Sequence, residues 1–375
     1  MAVSNRLSYA PMTSATTYDF QPVDETQKGL NIPAYKTLYL KNYMISYGVT
    51  VVDSLRILAL CCNLPGLGYT LMLSDLRALK LIKKAPVGKS RVLNLLYIAE
   101  TDAFLLYTED RVELRKRKSL KVDLEFRLGN NTGSNIASTY RYRDSKLYIY
   151  ACGTYQGLRV IEPTRNYISV VKKTGEYVFD SIHYVKEDDM LLAASKELGA
   201  IRMLNPTTGD TLLEIALFSN NKLIHIHDYD PVTQLLLVSQ GDQLSAWRKD
   251  PEVKRKASNV SECEDEEEED EEECGWTLEA SVEKTHCHIA NEYCRKAEVA
   301  LLDAHSEYFA YVNEEKLNVY NLVENDTVKF LSFSCTKMGW SSRWGLLFLW
   351  DTEGEGVVKM VPKNYLKKRA SVLQS

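Results

Sequence analysis

The strongest constraint on the fold is a sequence unit that occurs three times between Ile136 and Trp247. In each copy an apolar run is followed by small residues and then by a second apolar run that ends in polar turn residues. The runs of the three copies begin at Leu147 and Leu158, at Met190 and Ala200, and at Leu235 and Leu244. A period of about forty residues, built from short strands and turns, is typical of rings of small sheets. The repeat therefore predicts an all-β protein.

Similar units precede and follow the central three. Two units occupy residues 54–83 and 92–116, and two more occupy residues 298–320 and 331–360. The seven units together predict an all-β, seven-bladed WD-type β-propeller over residues 37–365. Since few residues follow Trp350, we expect the unit before residue 90 to complete the ring and leave no open blade edge. The alternation at residues 111–116 predicts a strand exposed on one face.

Three segments are expected to lie outside the folded ring. Residues 1–36 are rich in Ser, Thr, Gln and Asn and predict a disordered lead-in, while residues 366–375 form a basic tail. Residues 250–284 predict a disordered acidic insert, because ten consecutive acidic residues at 264–273 repel one another. The chain has 46 basic and 51 acidic residues, so without those ten the balance is 46 to 41, a charge of +5.

The compartment is predicted from what the sequence lacks. Residues 1–35 hold no continuous apolar core, and no segment reaches the roughly 18 apolar residues of a membrane span. Eight cysteines without regular spacing, two of them adjacent at Cys61 and Cys62, are typical of reduced thiols. We therefore expect a soluble intracellular protein that does not bind membranes.

No catalytic signature is present in the sequence. It lacks a phosphate-binding glycine loop, a nucleophile elbow and a metalloprotease helix, so an enzyme is not predicted. The soft ligands that could hold zinc are His286, Cys287, His288, Cys294 and Cys274. Their spacing lacks Cys-x-x-Cys pairs, which favours packing thiols, and we predict neither a metal nor a cofactor. His225 and His227 share one face of a strand and are expected to be polar core or surface residues.

Basic clusters suggest a nuclear protein. Lys254, Arg255 and Lys256 form a compact group in the insert and are candidates for nuclear import. Leu114-Arg-Lys-Arg-Lys and Leu366-Lys-Lys-Arg are further basic clusters. The acidic run could compete for cationic peptides such as histone tails. We expect no sequence-specific binding of nucleic acid.

The order of the units resembles the embryonic ectoderm development (extra sex combs) family of Polycomb WD-repeat proteins. The matching segments are Tyr150-Ala-Cys-Gly with Gly157-Leu-Arg-Val-Ile-Glu-Pro, Leu191-Leu-Ala-Ala-Ser-Lys with Ala200-Ile-Arg-Met-Leu-Asn-Pro, and Leu244-Ser-Ala-Trp-Arg with the long insert that follows. The resemblance implies a non-enzymatic nuclear scaffold that stabilises a histone methyltransferase subunit and contributes to transcriptional repression. A general WD-repeat adaptor in ribosome assembly, ubiquitin ligation or trafficking is the alternative, and a metal-dependent enzyme is a third hypothesis.

The resemblance also implies an aromatic cage that binds trimethyl-lysine of histone H3 by cation–π attraction. The candidates for this cage are Tyr97, Tyr140 and Trp340, although packing aromatics explain them as well. Thr336 and Lys337 occupy positions where the family has adjacent aromatics, and a lysine there repels the cationic ligand. We therefore expect a scaffold that has lost methyl-lysine reading.

Overall fold

A computed structural model gives the architecture of the chain. It describes residues 36–76, 78, 80–127, 137–152, 157–163, 168–174, 177–215, 222–249, 275–283, 299–301, 308–313, 316–341, 345–351 and 356–362. Within these residues the chain forms strands and turns, with one short 3-10 turn at Asp53–Leu55. None of them forms a helix long and apolar enough to cross a membrane.

The first seventeen strands follow one another along the chain. They are β1 (Lys36–Leu40), β2 (Met44–Val52), β3 (Ile57–Leu64), β4 (Gly68–Asp75), β5 (Leu81–Gly88), β6 (Val92–Ile98), β7 (Ala103–Thr108), β8 (Arg111–Lys116), β9 (Val122–Arg127), β10 (Ala137–Arg143), β11 (Lys146–Cys152), β12 (Leu158–Pro163), β13 (Ile168–Thr174), β14 (Ser181–Val185), β15 (Met190–Ser195), β16 (Ala200–Leu204) and β17 (Thr211–Ile215).

The remaining strands continue the same order. They are β18 (Ile224–Asp230), β19 (Leu235–Gln240), β20 (Gln243–Lys249), β21 (Trp276–Glu283), β22 (Val299–Leu301), β23 (Tyr308–Asn313), β24 (Lys316–Asn321), β25 (Asp326–Ser334), β26 (Lys337–Ser341), β27 (Leu346–Trp350) and β28 (Gly356–Pro362).

These strands form seven four-stranded antiparallel sheets, which are the blades of a propeller. Blades 1 to 6 are β2–β5, β6–β9, β10–β13, β14–β17, β18–β21 and β22–β25, and blade 7 is β26–β28 with β1. The first strand of every blade contacts the first strands of both neighbouring blades, so the inner strands form a closed circle. The structure therefore confirms the all-β, seven-bladed propeller.

The ring is closed by pairing between the two ends of the folded chain. Strand β1 pairs along its length with β28, with Leu38 opposite Val358 and Leu40 opposite Gly356. A Cβ on Gly356 would lie 2.7 Å from the Leu40 carbonyl oxygen, so only glycine permits this close approach. Blade 1 fills the ring position expected from the sequence, while the outer strand of blade 7 comes from the start of the chain.

The described residues form seven hydrophobic clusters that hold the ring together, one between each pair of neighbouring blades. Between blades 5 and 6, for example, Leu235 and Leu237 pack against Phe309 and Tyr311. Side chains alternate between the two faces of a strand, so an apolar strand inside a blade contributes to two clusters. Cys61 and Cys62 show this arrangement, since Cys61 packs against blade 2 and Cys62 against blade 7. Burial raises the pKa of both thiols, that of Cys62 to about 12.

The turn between the first and second strands repeats the same backbone conformation around the ring. At least one residue of this turn has a left-handed φ of +47° to +61° in every blade where the turn is described. These residues are Arg56, Asp102, Asp144, Ser145, Asp189, Gln234 and Gly345, with two of them, Asp144 and Ser145, in blade 3. Asp, Asn and Gly tolerate this conformation better than branched residues do. The recurring turn explains why polar residues separate the apolar runs of the sequence repeat.

The acidic insert is shorter than its sequence predicts. Residues 276–283, which were expected to be disordered, form β21, the outer strand of blade 5. Trp276 is buried in the cluster between blades 4 and 5, and Ala280 is buried between blades 5 and 6. The alternation after Trp276 supplies the apolar contacts that the acidic run lacks. The acidic run itself, with Lys254, Arg255 and Lys256, lies outside the described residues.

Deletion of residues 250–273 is expected to leave the free energy of unfolding within about 1 kcal/mol of the full chain. Cys274 and Gly275 would still connect β20 to β21, and the highly charged run contributes no apolar surface to bury. Denaturant unfolding of the purified variant measures this difference. A matched deletion of residues 250–283 removes β21 as well and is expected to destabilise the protein strongly. Equal stability of the two variants, or loss of soluble protein in the first, would contradict the prediction.

Candidate interaction surface

An aromatic residue recurs at one position of the inner strands, next to the turn that leads to the second strand. It is the penultimate residue of the strand, paired with the second residue of the neighbouring strand. Of the six blades in which this end is described, five have an aromatic there, and blade 1 has Val51. The five are Tyr97, Tyr142, Tyr184, Tyr229 and Trp340. All except Tyr229 are partly exposed.

Each of these aromatics packs against the cluster that its blade shares with the preceding blade. The same end of the inner strands therefore carries a circle of aromatic side chains that pack against the core, and all except Tyr229 remain partly exposed. Partly exposed aromatics and arginines are the residues that most often dominate binding energy at protein interfaces. We call Tyr97, Tyr142, Tyr184, Tyr229 and Trp340 the aromatic circle, and it is the candidate interaction surface of the protein.

In blade 2 an ion pair holds Tyr97, a member of the aromatic circle, in place. The Tyr97 hydroxyl donates to Asp102 at 2.9 Å, and the Arg117 guanidinium donates to the same carboxylate at 2.5 Å. Hydrogen bonding from Arg117 lowers the pKa of Asp102, while burial raises the pKa of Tyr97 to about 12. Tyr97 is therefore a neutral donor to a charged acceptor at physiological pH.

Blade 4 repeats this arrangement with partners from blade 3. The Tyr184 hydroxyl donates to Asp189 at 2.8 Å, and Arg141 donates to both oxygens of that carboxylate at 2.6 and 2.7 Å. Arg143, which is more exposed, also contacts Asp189. Hydrogen bonding from Arg141 lowers the pKa of Asp189. The pair thus stabilises the fold above the unfolded pKa of an aspartate, and this contribution is lost as the pH falls through the lowered folded pKa.

The three cage candidates lie in three different clusters. Tyr97 packs between blades 1 and 2, Tyr140 between blades 2 and 3, and Trp340 between blades 6 and 7. The structure brings Tyr97 and Tyr140 together, since the Tyr140 hydroxyl donates to the Tyr97 carbonyl oxygen at 2.9 Å. Trp340 is equivalent to Tyr97 in its own blade, whereas Tyr142 rather than Tyr140 is the equivalent in blade 3. Sequence reasoning missed Tyr142, Tyr184 and Tyr229, although their equal spacing from the first turn is a detectable signal.

Titration with a trimethylated histone H3 peptide is expected to show no preference over the unmodified peptide. A cage needs about three aromatic faces around the ammonium, each contributing about 0.5–2 kcal/mol. Lys337, which the sequence places at a cage position of the family, is buried at the start of β26. Calorimetry with both peptides measures the difference in affinity. A clear preference that Trp340→Ala abolishes and Trp247→Ala leaves intact would restore the reader function.

Two histidines of blade 5 contact each other. The rings of His225 and His227 meet edge to face with centroids 4.7 Å apart, and His227 Nε2 lies 2.9 Å from the Ser239 hydroxyl. Among the residues that the structure describes, no group of three or more His, Cys, Asp or Glu is arranged to hold a metal. The five zinc candidates from the sequence lie outside these residues.

Most basic side chains of the cluster at residues 114–118 form ion pairs within blade 2. Arg115 is buried and bonds Glu113 at 2.6 Å, Arg117 bonds Asp102, and Lys116 pairs with Asp123 at 2.8 Å. Only Lys118 of this cluster is exposed without an ion pair to a described carboxylate. The cluster is therefore a strand end and turn of blade 2 and not a free basic peptide.

An open groove of about 470 Å³ separates the outer parts of blades 5 and 6. Its floor includes Ala280 and Val282 of β21 and Tyr320 of β24, and Glu279 and Glu283 line it as well. The Tyr320 hydroxyl is engaged by Asn325, and Arg248 engages Glu279. The groove adds a concave, partly acidic surface to the side of the ring.

The fold and its repeated inner-strand geometry define a WD-type seven-bladed β-propeller. Among solved structures, the chain is similar to the β-propeller domain of Cps50 (Swd1) from Myceliophteria thermophila, with a TM-score of 0.59 and 14% sequence identity. The match covers 87% of this chain and 98% of that domain. No protein-family model and no curated protein matches the chain. The structural similarity supports the fold alone.

Proposed function

We propose that the protein is a non-enzymatic scaffold subunit of a nuclear chromatin complex, similar in role to the propeller subunit of the Polycomb histone H3 methyltransferase complex. The scaffold role is supported by the aromatic circle, with its partly exposed tyrosines, Trp340 and nearby arginines. The Polycomb assignment rests on the sequence resemblance. Its segments lie on the second and third strands of blades 3 and 4 and on the third strand of blade 5, and in the sequence the insert follows that third strand.

In this role the chain performs no chemistry and supplies a preformed surface. The closed circle of inner strands fixes the positions of the aromatics, and the pairs Tyr97–Asp102 and Tyr184–Asp189 hold two of the rings before a partner arrives. A preformed surface loses less conformational entropy on binding than a flexible one. The proposed partner is a helical segment of the methyltransferase subunit, and the histone H3 tail is a second proposed contact.

Purification of the tagged full chain with identification of its partners tests this function. The proposal expects a histone methyltransferase subunit and methylation of histone H3 in the purified sample. A double variant, Tyr97→Ala with Tyr184→Ala, should lose these partners, while Tyr39→Ala, on the outer strand β1, should keep them. Recovery of ribosome-assembly, ubiquitin-ligase or trafficking proteins instead would support the general adaptor.

Nuclear entry is expected to depend on Lys254, Arg255 and Lys256. They form a compact basic group next to a highly charged run, which suits recognition by an import receptor. Imaging of a tagged variant with all three changed to Ala measures the nuclear fraction. A matched variant with Lys367, Lys368 and Arg369 changed to Ala removes the same charge from the C-terminal tail. Equal nuclear signal in the wild type and the first variant would refute the assignment.

A further inference from the structure

Four exposed lysines lie on two neighbouring hairpins of blades 1 and 2, which a hydrogen bond joins at the surface. Lys80 and Lys83 belong to the turn before β5 and to β5 itself, and Lys118 and Lys121 belong to the turn between β8 and β9. The Lys83 ammonium donates a hydrogen bond to the Lys118 carbonyl oxygen, which joins the two hairpins directly. We call Lys80, Lys83, Lys118 and Lys121 the lysine patch.

The four ammonium groups give the lysine patch a positive charge. Within the described part of the chain, none of its four ammonium groups forms an ion pair. Two neighbouring carboxylates are paired with other cations, Asp102 with Arg117 and Asp123 with Lys116, and the Lys118 charge acts on Asp102 without forming an ion pair. Four like charges on two joined hairpins repel one another in water, so an anionic ligand that spans both hairpins relieves this repulsion.

We propose that the lysine patch binds the phosphate backbone of a nucleic-acid duplex without reading its sequence. Lysine ammoniums are compact point charges that suit phosphates, and their binding releases counterions from the duplex. The large apolar side chains exposed beside the patch are Ile82 and Val122, which are aliphatic. Single-strand binding relies on exposed aromatic rings that stack on bases, so the patch favours a duplex. This inference stands independently of the proposed scaffold function.

Fluorescence polarisation with a duplex of about 20 base pairs, titrated with the full chain at several salt concentrations, tests the proposal. We expect Lys83→Glu with Lys118→Glu to weaken binding at least tenfold at low salt. Lys83→Gln with Lys118→Gln should reduce the slope of log affinity against log salt by about two, since each phosphate contact contributes roughly 0.9. Thermal unfolding confirms that the variants remain folded.

The matched control changes the same charge at the opposite end of the ring. Lys196 and Lys222 are exposed, and they lie in the β15–β16 turn and the β17–β18 connection, which open on the other end. Lys196→Glu with Lys222→Glu should leave duplex affinity within about twofold, since these charges lie beyond a Debye length of the patch. Equal weakening by both double variants, absence of duplex binding by the wild type, or preference for an acidic peptide or anionic vesicles would overturn the proposal.

Discussion

Removal of residues 1–41 is expected to abolish soluble folded protein. This truncation deletes β1, which supplies the outer strand of blade 7 and buries Leu38 and Leu40 in the cluster between blades 7 and 1. Each buried leucine contributes about 1.5–3 kcal/mol, and the freed edge of β28 would expose a row of unpaired backbone groups. The combined loss approaches the roughly 5–15 kcal/mol that stabilises a typical native protein. Soluble yield and thermal unfolding of the truncated chain measure the effect.

The matched truncation removes residues 1–34 and leaves β1 intact. We expect its melting temperature to equal that of the full chain. Gly356→Ala tests the same closure without a deletion, because its new methyl group would lie 2.4 Å from the Tyr43 carbonyl oxygen and 2.7 Å from that of Leu40. A soluble, cooperatively unfolding protein that starts at residue 42 would show that the ring is stable without its closing strand.

The sequence predicted most of the ring because the blades are local units. The second strands, such as Met190–Ser195 and Leu235–Gln240, are short apolar runs between polar turns, which is the pattern of buried strands. The order of the seven units along the chain could be predicted from the sequence for the same reason. The closing strand was not predicted as part of blade 7, because β1 pairs with a strand more than 300 residues away. No local pattern reports such a pairing.

Other features depended on context that spacing does not give. Strand β21 follows directly after an acidic run, so the composition of that run extended the predicted insert to residue 284. The sequence predicted only part of the aromatic circle, because Tyr97, Tyr140 and Trp340 were chosen from a family resemblance and not from their position in each blade. Tyr142, and not Tyr140, is the equivalent of Tyr97 in blade 3, and only the pairing of β10 with β11 shows this.

The largest error concerns the charged strand of blade 2. The alternation in Arg111–Lys116 predicted charges on an exposed face, yet Glu113 and Arg115 are buried. Glu113 accepts hydrogen bonds from Arg111 and Arg115, each at 2.6 Å, and the two arginines also donate to the Val87 and Pro86 carbonyl oxygens of blade 1. An alternating pattern of charges can therefore face a neighbouring blade when the charges compensate one another.

Glu113→Gln is accordingly expected to destabilise the protein by about 3–5 kcal/mol. The substitution preserves the side-chain shape but removes the negative charge between two arginines, of which Arg115 is only 5% exposed. An uncompensated buried charge is costly, and the weakened bonds to blade 1 lie beside the cluster between blades 1 and 2. Denaturant unfolding monitored by tryptophan fluorescence measures the change in the free energy of unfolding.

Glu279→Gln supplies the matched comparison for this effect. Glu279 also forms a two-point pair with an arginine, Arg248, but on the outer strand of blade 5, where the side chains are 27% and 35% exposed. Exposed pairs contribute about 0–1 kcal/mol, so this variant should unfold almost like the wild type. If Glu113→Gln lowered the free energy of unfolding as little as Glu279→Gln, the ion pairs of Glu113 with Arg111 and Arg115 would not join blades 1 and 2. Apolar packing alone would then stabilise that interface.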